Sequence, residues 1–191
     1  MGWTALLDAC VLYPVSTRDL LLRGAERYLY EIRWTPTIIA DVQRHLVEDA
    51  RLTRERAKRL IDMMLASFPD AMVVGYDALV DTMPNHPRDR HVLAAAVVAG
   101  ADVIVTDNTR HFPPAACEPF GVEVQTANEF LSYSFDLAPE VMSDIFLQQV
   151  EDYVKPAFDV AAALSLLDGR LPSLTQRLRS TPRVRAAARL P

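Results

Sequence analysis

The 191-residue chain is short of cysteine, with two, and of lysine, with two among its twenty basic residues. Cys10 and Cys117 stand far apart with no second pair, which excludes a disulfide framework and a four-thiolate zinc site and reads as buried free thiols. Long hydrophobic runs are missing as well. The longest spans Val92 to Ala101, between His91 and Asp102, far below the roughly 20 residues that cross a bilayer. No basic region precedes the first apolar residues, and Asp8 interrupts them before a signal-peptide core forms, so the expectation is a cytoplasmic protein without membrane attachment. GxGxxG, Walker A and GxSxG are absent, which removes the usual support for dinucleotide, P-loop or serine-hydrolase chemistry. The four histidines form no HExxH pattern and read as hydrogen-bonding partners or surface groups.

What is present is ordinary globular composition, half hydrophobic and 24% charged, enough for one sizeable core. The net charge of −5 is unevenly spread. The last 22 residues carry six arginines and no acid, so the rest of the chain holds −11. That basic end reads as a solvated, frayed terminus. An acidic body does not exclude a polyanionic substrate, because cations held by clustered carboxylates reverse the local field.

Leu6 and Leu7 lead through a short apolar run into Asp8, a buried strand ending on an acid. Ser16-Thr17-Arg18-Asp19 has the capping-box pattern and predicts a helix to about Tyr30. Thr35-Pro36 predicts a second helix, from Pro36 to about Glu48, and Thr53 a third ending near Phe68-Pro69. A short strand is expected over Ala71 to Val74 and a brief helix over Asp77 to Met83. From Asp89 the sequence reads as a buried helix stopped by Gly100, followed by a buried strand over Asp102 to Asp107. This α/β unit argues for a parallel sheet, to which Val122 to Val124 adds a strand. Beyond Asn128 the reading is helical: Glu129 to Phe135, Pro139 to about Val154, Pro156 to Leu167, and a short piece from Pro172.

Four acids have a geometric reason to meet. Residues just past the C-terminal ends of parallel strands converge on one sheet edge, and Asp8 and Asp107 hold that position. Asp89 opens the buried helix, where free N–H groups favour a carboxylate. Asp41 shares a helix face with Ile38, Val42 and His45. Carboxylates crowded at low dielectric repel one another unless a divalent cation neutralises them, and an oxygen-only set suits Mg²⁺ or Mn²⁺ over zinc. Each acid also has a bland reading: Asp8 a turn, Asp89 a helix cap, Asp41 a partner of Arg44, Asp107 an Asx-type turn with Asn108.

The stretches LLDACVLYP, PRDRHVLAAAVVAGADVIVTDN and the following RHFP resemble the PIN domain, in particular VapC-type toxin ribonucleases of bacterial toxin–antitoxin pairs. The likeness covers about residues 4 to 131 and rests on the joint occurrence of LLDA, DRHVLAAA and VIVT. WTPTIIADVQRHL resembles the family segment that supplies a glutamate, with Asp41 at that place. In many relatives the last acid follows the strand threonine by two residues or directly precedes the phenylalanine; here those places hold Asn108 and His111, and Asp107 is the nearest substitute. The segment from about Leu137 to Arg179 resembles a helical extension of longer VapC-like proteins.

The resemblance implies a PIN-like three-layer α/β/α fold with a central parallel sheet over 1–131, an all-helical extension over 132–180, and a basic tail over 181–191. It also implies a Mg²⁺- or Mn²⁺-dependent endoribonuclease that leaves a 5′-phosphate and a 3′-hydroxyl on structured RNA such as tRNA or rRNA. A VapB-like antitoxin and a homodimer are implied too. Asp8, Asp89 and Asp107 would hold metal, Asp41 would complete the set, and Thr106, Asn108, Arg90 and Arg110 would position ligands or contact the substrate. Two other classes compete: a PIN-like scaffold that binds without catalysis, and a metal-dependent DNA nuclease or phosphoesterase.

Overall fold

Short apolar runs of β-branched and leucine residues form the two inner strands, and proline, threonine and glycine set the helix ends. The computed structural model describes residues 2–153 and 159–189. In chain order the elements are β1 (Thr4–Leu7), α1 (Ala9–Leu12), α2 (Val15–Glu26), β2 (Glu31–Arg33), α3 (Pro36–Glu48), α4 (Arg54–Ser67), α5 (Asp77–Val80) and α6 (Arg90–Ala99). They continue with β3 (Val103–Val105), α7 (Pro114–Cys117), β4 (Glu123–Gln125), α8 (Ala127–Leu137), α9 (Pro139–Asp152), α10 (Val160–Asp168), α11 (Pro172–Ser180) and α12 (Pro182–Ala188). The strands make one parallel sheet in the order β2-β1-β3-β4, with Ala5 beside both Ile32 and Val103, and Ile104 beside Val124. This is an α/β fold with a central parallel sheet, the architecture that the resemblance implies.

The sheet order has a functional consequence. From β1 the chain adds β2 on one side and later β3 on the other, so β1 and β3 flank the point where the winding reverses. Parallel α/β sheets place their ligands in the crevice beyond the strand ends at such a point. Asp8 follows β1 and Thr106 follows β3, joined there by the Asp8 N–H donating to the Val105 carbonyl at 3.1 Å.

Local signals explain the helices beside the sheet. Thr35 accepts the Ile38 N–H at 3.1 Å with Pro36 next in line, and Thr53 accepts the Arg56 N–H at 3.3 Å. Gly100 ends α6 at φ 59°, in the left-handed region that glycine enters without penalty.

Two expectations are corrected, and one strand was not foreseen. Ala71 to Val74 is not a strand: a 3₁₀ turn over Pro69–Ala71 and the left-handed Gly75 leave a single parallel bridge between Trp34 and Met72. The outer strand is instead β2, whose Glu-Ile-Arg sequence buries only Ile32. The helix expected from a capping box at Ser16 begins at Val15 and ends at Glu26. The expected start at Pro156 and end at Val154 lie outside the described residues.

The chain divides into two compact units. The first comprises residues 1–15 and 30–126 and holds the whole sheet, with Leu6, Leu7, Trp34, Ile38, Leu93, Ile104 and Phe112 in its core. The second comprises 16–29 and 127–191 and buries Leu20, Leu21, Phe130, Phe146, Leu164, Leu174 and Leu178. Within it Arg23 bonds both Asp19 (3.0 Å) and Asp152 (2.7 Å), and Gln149 donates to the Ser16 carbonyl at 2.9 Å. Asn128 caps α11 by accepting the Ser173 N–H at 2.9 Å. Within the stretch read as a frayed basic end, α12 is helical, buries Val184, and pairs Arg183 with Asp144. No helix among the described residues is long and apolar enough to cross a membrane.

Candidate active site

The chain turns from β1 straight into α1 at Asp8, and this turn consumes part of the carboxylate. Asp8 Oδ1 accepts the Ala9 N–H at 2.6 Å, while Oδ2 accepts the Thr106 hydroxyl at 2.7 Å and the Cys10 thiol at 3.3 Å. Thr106 has no exposed surface, so it is placed to hold Asp8 and not to meet a substrate. Its hydroxyl also accepts the Asn108 N–H at 3.1 Å.

Asn108 carries the connection onward. Its side-chain amide donates to Asp89 Oδ2 at 3.0 Å, and its Oδ1 accepts from Arg110 Nε at 3.2 Å, which fixes the orientation of the amide. Asp89 ends a 3₁₀ turn over Pro87–Asp89 and stands at the head of α6, yet its side chain makes no capping bond. The carboxylate is turned instead toward Asn108 and toward His111 Nδ1, which lies 2.5 Å from Oδ2. Asp8 and Asp89, 81 positions apart in sequence, are thereby joined through Thr106 and Asn108.

The other two acids are placed differently. Asp107 is exposed, and its N–H donates to Cys10 Sγ at 3.3 Å. With Cys10, Asn108, Thr109 and Arg110 it lines an open cleft of about 440 Å³ beside the network. Asp41 lies at the rim of the buried face of α3, with Ile38 and Val42 inside, and its carboxylate accepts from Arg44 at 2.5 Å. The bland pairing with Arg44 is therefore realised. Arg110 is exposed at the cleft, and Arg90 is half-buried with its Nε shielded and without a partner among the described residues.

Burial and the neighbouring Asp8 charge push the Cys10 thiol up to about 12, so it remains protonated and acts as a donor to Asp8. Sequence reading gave Cys10 as a buried thiol and the histidines as hydrogen-bonding partners or surface groups; Cys10 is half-buried beside Asp8, and His111 is a partner of Asp89. The signal for His111 was its place directly before Phe112-Pro113, where relatives carry an acid. His86 stacks on it with ring centroids 3.8 Å apart and planes 9° from parallel.

The donor chemistry fits a divalent cation. Two carboxylates are held at the sheet edge by short hydrogen bonds, and Asp89 Oδ1 receives no hydrogen bond from any described residue. His86, Asp89 and His111 also bring one ligand atom each within 4.8 Å of one another.

No family model matches the chain. Over 109 residues it is 38% identical to a protein of Mycobacterium tuberculosis named "Putative ribonuclease VapC50". The matched part of this chain is similar to that protein. The match covers 57% of this chain and 64% of that protein, so the chain spans less than two thirds of the relative's length. This similarity agrees with the resemblance carried by LLDA, DRHVLAAA and VIVT, and with the parallel sheet that places Asp8, after Leu7, beside Thr106, after Val105.

Proposed function

We propose that this protein is a metal-dependent endoribonuclease and the toxin of a VapBC-type pair, acting in the cytoplasm on structured RNA of the tRNA or rRNA class. The observation that carries this reading is the hydrogen-bonded path Asp8–Thr106–Asn108–Asp89, which holds two carboxylates at the winding reversal of a VapC-like sheet. Asp8 and Asp89 would hold Mg²⁺ or Mn²⁺, with Asp107 at the mouth of the cleft. The bound ion would supply Lewis-acid stabilisation of phosphate charge and a water of lowered pKa. The residues do the rest. Thr106 and Cys10 orient the Asp8 carboxylate, Asn108 orients Asp89, and Arg110 at the exposed rim is placed to pair with RNA phosphate. A VapB-like antitoxin with a basic side chain would complement this acidic cleft, and a homodimer follows from the same likeness.

The test is incubation of the full chain with total bacterial RNA in Mg²⁺, Mn²⁺ or EDTA, beside Asp8→Asn, with new 5′ ends mapped by sequencing. Discrete metal-dependent cuts absent in the variant support the proposal. Equal RNA integrity in wild type and variant under every condition favours the binding-scaffold reading, for which the diversion of Asp41 to Arg44 is the motivating contact. Turnover of a small phosphoester or single-stranded DNA without RNA cleavage refutes the ribonuclease assignment.

A further inference from the structure

We infer that the last ligand of this metal centre is the imidazole of His111, working beside Asp89. The site is then a mixed nitrogen and oxygen site, which favours a borderline first-row ion such as Mn²⁺, Co²⁺ or Zn²⁺ over Mg²⁺. The inference rests on the reading above that Asp89 belongs to a metal centre. It deepens that reading by assigning the ligand and the class of ion.

The argument starts from three atoms. His111 Nδ1 lies 2.5 Å from Asp89 Oδ2 and 2.7 Å from Asn108 Nδ2, and Asn108 Nδ2 lies 3.0 Å from the same Asp89 oxygen. No placement of protons satisfies all three contacts while Asp89 is ionised. A proton on Nδ1 serves Asp89 but sets two N–H donors against each other at 2.7 Å. A bare Nδ1 accepts from Asn108 but faces a carboxylate lone pair at 2.5 Å. Turning the amide over would set its oxygen against Asp89 and remove the acceptor that Arg110 Nε uses at 3.2 Å. A cation relieves both oppositions, because it takes the lone pairs of Nδ1 and Oδ2 in place of a proton while Asn108 donates to the carboxylate. Imidazole nitrogen suits borderline transition ions, whereas Mg²⁺ selects oxygen and water.

The surroundings agree. Asp89 and His111 keep 19% and 17% of their side-chain surface exposed, which leaves an ion a way in. Asn85 is 3% exposed and donates to the Asp89 carbonyl at 3.0 Å, yet its Oδ1 is buried without a donor among the described residues. A buried acceptor of this kind calls for a water. His86 plays a different part. Its ring stacks nearly parallel on that of His111. Its Nδ1 accepts the Arg88 N–H at 3.3 Å, and its own N–H donates to the His111 carbonyl at 3.1 Å. His86 is therefore a positioning residue that fixes the His111 ring.

The experiment uses Mn²⁺ alone as probe of the purified full chain. Continuous-wave EPR measures bound ion, with Mg²⁺ as competitor, and pulsed EPR reads nitrogen hyperfine coupling. Wild type and His86→Ala are expected to show the coupling. His111→Asp, which supplies oxygen instead, is expected to keep Mn²⁺ and lose the coupling. Mn²⁺ should bind wild type at least about tenfold more tightly than Mg²⁺, with that preference shrinking severalfold in His111→Asp. Mn²⁺ bound by wild type without nitrogen coupling, or coupling that survives in His111→Asp, overturns the assignment of His111 and leaves the metal centre standing. Failure of wild type to bind Mn²⁺ at all overturns the metal-centre reading itself. The wild-type spectrum decides the matter even where a variant does not fold.

Discussion

Replacing Thr106 with valine keeps the volume and β-branched shape of a residue with no exposed surface and deletes one hydroxyl. That hydroxyl donates to Asp8 Oδ2 at 2.7 Å and accepts the Asn108 N–H at 3.1 Å. A hydrogen bond to a charged group contributes about 1.5–3 kcal/mol, and a stranded buried donor costs about 1–3 kcal/mol. Asp8 and Asn108 are half-buried and recover part of this from water, so the expected loss is about 2–4 kcal/mol. Urea unfolding in EDTA reads it as a lower midpoint at unchanged slope. Thr106→Ser keeps the hydroxyl and should lose only about 1 kcal/mol for its methyl group. The valine and Asp8→Asn substitutions should also couple by about 1 kcal/mol when combined, because they act on one bond. Thr106→Val as stable as wild type, or no worse than Thr106→Ser, would show that the hydroxyl is not what holds Asp8, and the path to Asp89 would lose its first link.

Asp8→Asn and Asp89→Asn are each expected to abolish metal-dependent RNA cleavage with unchanged far-UV circular dichroism; loss of the folded spectrum in both would mark the two acids as structural. For Cys10, whose folded pKa is raised, the unfolded chain ionises first as pH rises. Wild type should therefore lose stability relative to Cys10→Ser between about 9 and about 12, read from paired urea midpoints; parallel curves would contradict the buried, Asp8-facing thiol. Gly100→Ala meets no atom within 4 Å, so its cost is purely that of the left-handed backbone, about 1–2 kcal/mol, with Gly100→Asn milder; thermal unfolding checks the order. Val184→Asp puts a charge at a position with no exposure and should lower the stability of the second unit by about 3 kcal/mol or more, measured by limited proteolysis; an unaffected variant would mean that α12 contributes nothing.

Where one residue type carries the physics, the sequence was legible. Thr35-Pro36 marked the start of α3, Gly100 the end of α6, and the apolar runs before Asp8 and Thr106 the two inner strands. The outer strand β2 was not, since Glu31 and Arg33 face away from the core and Ile32 alone gives no alternation. Among the acids, position relative to the strands placed Asp8, and the helix start placed Asp89. Asp41 followed its local arginine, a choice between two neighbours that helical periodicity does not rank. His111 was placed where relatives carry the last acid, but its contact with Asp89, 22 positions earlier, was not legible, since sequence spacing says nothing of a contact made through a fold.

The passage of residues 16–29 into the second unit bears on how the molecule is made. Helix α2 leaves the ribosome early, but Asp152 and Gln149, which bond it, emerge more than a hundred residues later. Until then Leu20 and Leu21 have no finished core to enter, and the chain on either side of them can close its sheet only around an unfilled segment. A nascent chain cut short after α8 would lack the Asp152 and Gln149 contacts that hold α2. Synthesis through α9 thus completes the hydrogen bonding of α2, and the second unit is assembled from two distant stretches of the chain, not in the order in which they emerge.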